Sequence, residues 1–216
     1  MAISKARQFD GDKLVIATHN PGKAREIADL VSPYCTTVIL ASRLGLEKPE
    51  ECGVTFVENA ELKALVAAES TGLPALADDS GLVVAALGGD PGIYSARYAG
   101  EKCSYSDNVN KLLQEMDNIS SDKRIAHFCT AIAYVDDNME LTTKGTVQGL
   151  ITDKRKGIDG FGYDPVFYVP NMKKTYAEMS MNEKNQISHR GKAVKNMQIL
   201  LQPHLPKIFQ QMEDIA

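Results

Sequence analysis

The sequence predicts an α/β protein built on a mixed sheet, and three patterns carry the prediction. Short apolar runs alternate with helical periodicities through the first half of the chain. A long two-strand hairpin pattern fills the middle, and Gly/Pro punctuation separates the elements. Leu14-Val15-Ile16-Ala17 reads as the first strand, and Ala24, Ile27, Ala28 and Val31 then recur at i, i+3, i+4 and i+7, which is one face of a helix. Asn20 suits the N-cap between them and Pro21 the first helical position. Thr37 to Ala41 reads as a second strand, followed by a polar, acidic loop through Glu47 and Gly53. Thr55 and Glu58 form a capping box for a second helix, whose stripe of Val57, Ala60, Ala64, Ala67 and Ala68 is closed by Gly72 and Pro74.

Ala75-Leu76-Ala77 is a third strand that runs into Asp78-Asp79-Ser80-Gly81, after which Leu82 to Leu87 is apolar again and Gly88 to Gly92 is a loop. Val109, Leu112, Leu113 and Met116 mark a third helix. Ile125 to Val135 and Leu141 to Ile151 are strand-like around an Asp136-Asp137-Asn138 turn, a hairpin expected to belong to a second lobe. A glycine-rich stretch from Gly157 to Pro165 precedes a short strand, Val166 to Val169, and a polar region that ends at Ser188-His189-Arg190-Gly191. The last helix should bury Ala193, Met197, Leu200 and Leu201, with Pro203 and Pro206 bending or ending it.

Composition narrows the classes. The 216 residues suit one domain or two closely joined lobes, and 44% hydrophobic with 24% charged residues is an ordinary globular balance. A net charge of −4 argues against a general nucleic-acid or acidic-membrane binder while leaving room for a local basic pocket. Cys35, Cys52, Cys103 and Cys129 form no C-x-x-C pair, so they are expected as reduced core thiols in a cytoplasmic protein. Residues Met1 to Lys13 are polar with no apolar h-region, and no run approaches the roughly 18 apolar residues of a membrane span, so a soluble, unprocessed chain is expected.

Several separated segments carry chemistry. Thr18-His19-Asn20-Pro21-Gly22-Lys23 sits at a strand-to-helix turn, where unpaired backbone N–H groups, the helix dipole and the Lys23 charge favour an anion; a plain capped helix with a surface lysine is the alternative. It is not a P-loop, because the G-x-x-x-x-G-K-[ST] spacing is absent. Asp78 and Asp79 end an apolar strand pattern, and with Glu50 and Glu51 they offer the hard oxygen ligands that magnesium prefers, against the alternative of a turn cap and solvated acids. Lys63 and Lys23 each read singly as solvated lysines and gain meaning beside those acids. Phe161-Gly162-Tyr163-Asp164-Pro165 puts two aromatics on a glycine turn, able to stack on a base or to pack in the core, and His189-Arg190 supplies donors for a carbonyl or phosphate or is a solvated helix start.

Together the motifs resemble the inosine triphosphate pyrophosphatase family, which clears non-standard purine nucleotides. The resemblance runs in order through Ala17 to Lys23, Phe56-Val57-Glu58-Asn59-Ala60 with Lys63, Ala77 to Leu82, Gly89 to Tyr98, Phe161 to Pro165, and Ser188 to Gly191. It implies an elongated α/β fold, with a central mixed sheet flanked by helices, two lobes over residues 1–216 and the active cleft between them, and a homodimer. It implies that Thr18, His19, Asn20, Pro21, Gly22 and Lys23 form the triphosphate loop and Lys63 is a further phosphate ligand. Glu50 and Asp79 match its metal-binding acids, Asp79 also matches its general base, and Asp78 is a close neighbour in the site. Ser80, Phe161, Gly162, Tyr163, Asp164, Lys184, His189 and Arg190 match positions that contact the nucleotide. His19 carries no catalytic role in this match, Glu51 stays open beside Glu50, and the residues before the first strand have no counterpart. The implied reaction is magnesium-dependent attack of water on the α-phosphorus of ITP, dITP or XTP, releasing monophosphate and pyrophosphate. Broader or modified-nucleotide pyrophosphatases, and a nucleotide-binding regulatory module without turnover, are the alternatives.

Overall fold

A computed structural model describes residues 13–35 and 37–204. The polar N-terminal residues before Lys13 and Pro206 lie outside them. Seven strands form one mixed sheet in the order β2-β1-β3-β4-β5-β6-β7. They are β1 (Lys13–Ile16), β2 (Thr37–Leu40), β3 (Ala75–Val84), β4 (Ile125–Val135), β5 (Glu140–Ile151), β6 (Phe167–Val169) and β7 (Lys174–Thr175). β1 pairs in parallel with β2 and β3, whereas β5 with β6 and β6 with β7 are antiparallel. The helices are α1 (Pro21–Val31), α2 (Phe56–Thr71), α3 (Tyr105–Glu115), α4 (Met181–Ile187) and α5 (His189–Leu201). None of the described helices is long and apolar enough to cross a membrane.

The chain divides into two compact units. The first holds the described residues up to Asp79, Ala131–Lys144 and those from Ala193, and the second holds Ser80–Thr130 and Gly145–Lys192. The predicted hairpin is therefore shared, its turn half grouping with the first unit and its base with the second.

In the first unit the alternation of a strand sorts side chains into two layers. Leu14, Ile16 and Leu76 pack with Ile27 and Val31 of α1 and with Val194, Met197 and Leu201 of α5. Val15, Ala17, Ala75 and Ala77 meet Ala60, Ala64, Ala67 and Ala68, the small-residue stripe that brings α2 close to the sheet. The second unit closes over Leu82, Val84, Leu112, Met116, Phe128, Ile151, Phe167 and Tyr176.

Several predicted details change. β3 does not stop at Ala77 but runs through Asp78-Asp79-Ser80-Gly81 to Val84, because its acids are paired by lysines in the interior. The Thr55 cap is half of a capping box: its hydroxyl accepts from the Glu58 amide, while the Glu58 carboxylate reaches one residue further back, to the Val54 amide at 2.7 Å. The polar region before Ser188 contains α4, started by a full capping box between Ser180 and Glu183. On α5, Val194 is buried where Leu200 was expected, and Leu200 is 43% exposed. All four cysteines are free, but only Cys35 among them is buried.

Gly149 of β5 marks a close approach to β6. A Cβ there would sit 2.6 Å from both Phe167 Cζ and the Tyr168 carbonyl oxygen. Gly149→Ala should therefore lower unfolding stability by about 1–3 kcal/mol in a urea titration, the usual cost of overpacking. An unchanged midpoint would mean that β6 does not pack on β5 at this point.

Candidate active site

In the first unit the site begins at the β1-to-α1 turn. Asn20 is the N-cap, and its side-chain oxygen accepts from the amides of Gly22 at 2.9 Å and Lys23 at 3.2 Å. Pro21 has no N–H, and the Ala24 amide donates to the Asn20 carbonyl at 2.9 Å. The unpaired first-turn amides expected from the sequence are thus already satisfied. An anion at this terminus would be attracted by the helix dipole and Lys23 rather than by free amides. Thr18 is buried and its hydroxyl accepts from the Asn20 amide at 3.2 Å, so the loop is held from both sides.

Asp78 and Asp79 are both buried, and as neighbours on a strand they face opposite sides of the sheet. Each finds a lysine from the helix on its own side. Lys23 of α1 places Nζ 3.2 Å from Asp78 Oδ2 and 4.0 Å from Asp79 Oδ1. Lys63 of α2 places Nζ 3.0 Å from Asp79 Oδ1 and 3.3 Å from Glu51 Oε1. Neither lysine is the solvated surface residue its sequence position suggests when taken singly. Asn59 donates to Asp79 Oδ2 at 3.3 Å and accepts from the Gly53 amide at 2.9 Å, tying the strand to the acidic loop.

Charge within the cluster sets its protonation. Burial pushes the Lys63 ammonium down, but the carboxylates of Asp79, Asp78 and Glu51 outweigh it and hold the lysine above its usual pKa. Burial likewise pushes the Glu51 carboxyl up, and the ammoniums of Lys63 and Lys48 outweigh that and hold it below the usual carboxylate value. The carboxylates of Asp78, Asp79 and Glu51 meet Lys23, Lys63 and Lys48, and their hard oxygens are ligands that suit a divalent cation. Among the described residues no three His, Cys, Asp or Glu side chains form a closed metal cage. An ion that takes one or two carboxylates and completes its shell with water and phosphate does not need one.

The second unit gathers the other predicted residues. Lys184 and Asp164 form a buried ion pair at 2.5 Å, and the same Asp164 oxygen accepts from the Phe161 amide at 2.9 Å, which fixes the glycine turn. Gly160, at φ +77°, lies so close to Asp164 that a Cβ would fall 2.1 Å from that oxygen. Phe161 is half-buried, with the Lys184 ammonium 5.0 Å and the Arg190 guanidinium 5.9 Å from its ring centre. Arg190 donates to the Ser80 hydroxyl at 2.9 Å, and His189 stacks on Phe128 at 4.7 Å and 9°. Both lie at the start of α5 and are buried, not solvated. Tyr163 is a core side chain whose hydroxyl donates to the Ser95 carbonyl at 3.0 Å. Of the two aromatic residues on the turn, only Phe161 keeps part of its ring accessible.

The predicted residues thus fall into two groups, Thr18 to Lys23, Lys63, Asp78 and Asp79 in the first unit and Ser80, Phe161 to Asp164, Lys184, His189 and Arg190 in the second. Glu50 is exposed, whereas Glu51 is the acid turned toward Lys63. Asn59, in the Phe56-to-Ala60 motif, also belongs to the first group, a buried amide beside the alanine stripe of α2.

Fold and cluster together define an α/β protein whose sheet carries paired carboxylates held by helix lysines, an arrangement suited to metal–phosphate chemistry. The Ham1 family profile matches residues 14–199, and the chain belongs to that family. A dITP/XTP pyrophosphatase of Yersinia pseudotuberculosis is 50% identical over 188 residues, covering 86% of this chain and 95% of that protein. A HAM1 protein from Coxiella burnetii has a similar solved structure, with TM-score 0.79 and 40% identity over 88% of this chain and 98% of that one. The Staphylococcus aureus Ham1 protein matches with TM-score 0.78 and 44% identity over the same shares, 88% and 98%.

Lys63→Met should cost about 3–5 kcal/mol at pH 7, because it leaves the buried Asp79 and the Glu51 carboxylate short of a counter-charge. The pH dependence has a definite sign. Glu51, held below its unfolded pKa, stabilises the fold above the usual carboxylate range, and this is lost as pH falls through its lowered folded value. Without Lys63 that advantage shrinks, leaving only Lys48 and Lys23 to favour the carboxylate, so the variant's deficit in urea unfolding should be smaller at about pH 4 than at pH 7. Equal deficits would show that Lys63 acts by packing.

Proposed function

We propose that this chain is a metal-dependent nucleoside triphosphate pyrophosphatase acting on non-standard purine nucleotides, dITP, ITP and XTP, and yielding the monophosphate and pyrophosphate. The observation that carries the reading is the pair of buried carboxylates on β3, each met by a lysine from a different helix. The name of the similar Yersinia protein, a dITP/XTP pyrophosphatase, supports it.

Magnesium is the proposed ion, held by Asp79 with Glu50 or Glu51, and when bound it would neutralise charge on the phosphate oxygens. The chain's own groups do the rest. Lys23 and Lys63, with the loop Thr18 to Lys23 and the dipole of α1, hold the outer two phosphates as a single leaving group. Asp79, with Asp78 beside it, orients a water and takes its proton as that oxygen bonds to the α-phosphorus. The bond from the α-phosphorus to the bridging oxygen breaks, and pyrophosphate leaves with the electron pair. On the base side, Phe161 offers a ring to stack on, fixed by Gly162, Tyr163 and Asp164, while Ser80 holds Arg190 and Lys184, paired with Asp164, adds a further donor. His189 and Arg190 are held as donors, suited to a 6-oxo purine and mismatched to the 6-amino group of adenine. Such a mismatch costs about 1–3 kcal/mol, about fivefold to over a hundredfold in rate. The protein is proposed to work as a cytoplasmic homodimer on free nucleotides, not on nucleic acid or membranes. Its net charge of −4 argues against a general nucleic-acid or acidic-membrane binder.

The test is a panel of nucleoside triphosphates assayed with magnesium, with both products identified and Asp79→Asn alongside. ITP and XTP should give monophosphate and pyrophosphate at least tenfold faster than ATP, and the variant should lose about 10²–10⁴ in kcat with its circular dichroism unchanged. Orthophosphate as the product, or a variant with near-normal turnover, would contradict the proposal.

A further inference from the structure

In the turn after β1, the His19 side chain reaches past the carboxylate cluster to the backbone of another loop. The segment from Leu46 to Gly53 has no regular structure, yet it carries Glu50 and Glu51. It is fixed at its exit by the Gly53 amide donating to buried Asn59 at 2.9 Å, and in its middle by the Glu51 pair with Lys63. At its entry, just after Gly45 in the left-handed region at φ +69°, the Leu46 amide donates to the Ala41 carbonyl at 3.2 Å. The Leu46 carbonyl accepts from His19 Nε2 at 2.8 Å, across 27 residues of sequence. A carbonyl oxygen only accepts, so this ring nitrogen carries the proton. His19 and Leu46 also line a small pocket with Pro49 and Lys63. The imidazole of the phosphate loop is therefore a strap to the backbone of the acidic loop.

We propose that His19 is a positioning residue: by holding the Leu46 carbonyl it keeps the Leu46–Gly53 segment, and with it Glu51, in the place where the acids can share a divalent cation. His19 acts through the loop and touches neither the reacting phosphorus nor the water. The consequence for metal rests on the pyrophosphatase reading; the strap itself does not. A single neutral hydrogen bond has a small net worth, so its loss should loosen the segment about fivefold rather than abolish the site.

The experiment compares the full chain with His19→Ala, His19→Phe and His19→Gln. Phe keeps a ring but no donor, and Gln places an N–H the same number of bonds from Cγ as the imidazole Nε2. Two readouts are taken: amide hydrogen exchange at Leu46, Gly53 and Val54 without nucleotide or metal, and the magnesium dependence of ITP turnover. Ala and Phe should exchange about fivefold faster at these amides and, with ITP held saturating, need about fivefold more magnesium for half-maximal rate. Gln should restore both. Unchanged exchange in the Ala variant, or restoration by Phe and not by Gln, would overturn the strap. Faster exchange with an unaltered magnesium requirement would overturn its link to the metal. A parent protein without magnesium-dependent turnover would refute the pyrophosphatase reading, while the exchange result would still decide the strap.

Discussion

Two adjacent carboxylates in the middle of a sheet are the constraint on which the rest of this structure depends. Asp78 and Asp79 occupy a strand flanked by β1 and β4, where an unpaired ionised acid would be very costly. Strand geometry sends them to opposite faces, so each takes its nearest cation from a different helix, although Lys23 also comes within 4.0 Å of Asp79. The chain answers with Lys23 at the first turn of α1 and Lys63 two turns into α2. Both helices are thereby fixed in register against β3 by charge as well as by packing. Replacing such a pair with apolar residues often costs nothing in stability, so the presence of three buried charges and a half-buried Lys23 points to chemistry.

The same arrangement explains why the surroundings are polar but orderly. Asn59 lies on the α2 side with Lys63 and joins Asp79 to the Gly53 amide, and the close approach there leaves Gly53 without room for a Cβ, which would fall 2.7 Å from Asn59 Oδ1. On the base side, Asp164 does comparable duty: one oxygen takes both the Lys184 ammonium and the Phe161 amide, so the glycine turn and the cation beneath its ring are set together. In each unit a buried acid organises a loop and a lysine at once.

Much of this was legible in the sequence because local rules and the fold agree. The Asn20 cap, the alanine stripe of α2, the Gly72 stop and the Asp136 turn appear where propensity puts them. The failures have a common physical cause: they lie where long-range pairing overrides the local signal. Asp78-Asp79-Ser80-Gly81 looks like the end of a strand until Lys23 and Lys63 neutralise it from 55 and 16 residues away. Lys184, His189 and Arg190 read as polar chain and are buried, since Asp164, Phe128 and Ser80 receive them. The side of the acidic loop that faces inward, Glu51 rather than Glu50, was not readable from adjacent identical residues. Tyr163 and Phe161 share one motif, and only the hydroxyl bond to Ser95 distinguishes core from accessible ring.

The central claim is that the Asp78–Asp79 cluster directs water to the phosphorus nearest the nucleoside. Hydrolysis of ITP in water enriched in ¹⁸O, with both products analysed by mass spectrometry, tests it most directly. The account predicts one heavy oxygen in inosine monophosphate and none in pyrophosphate. Label in the pyrophosphate would place attack on the β-phosphorus and contradict the roles given to Asp79, Lys23 and Lys63.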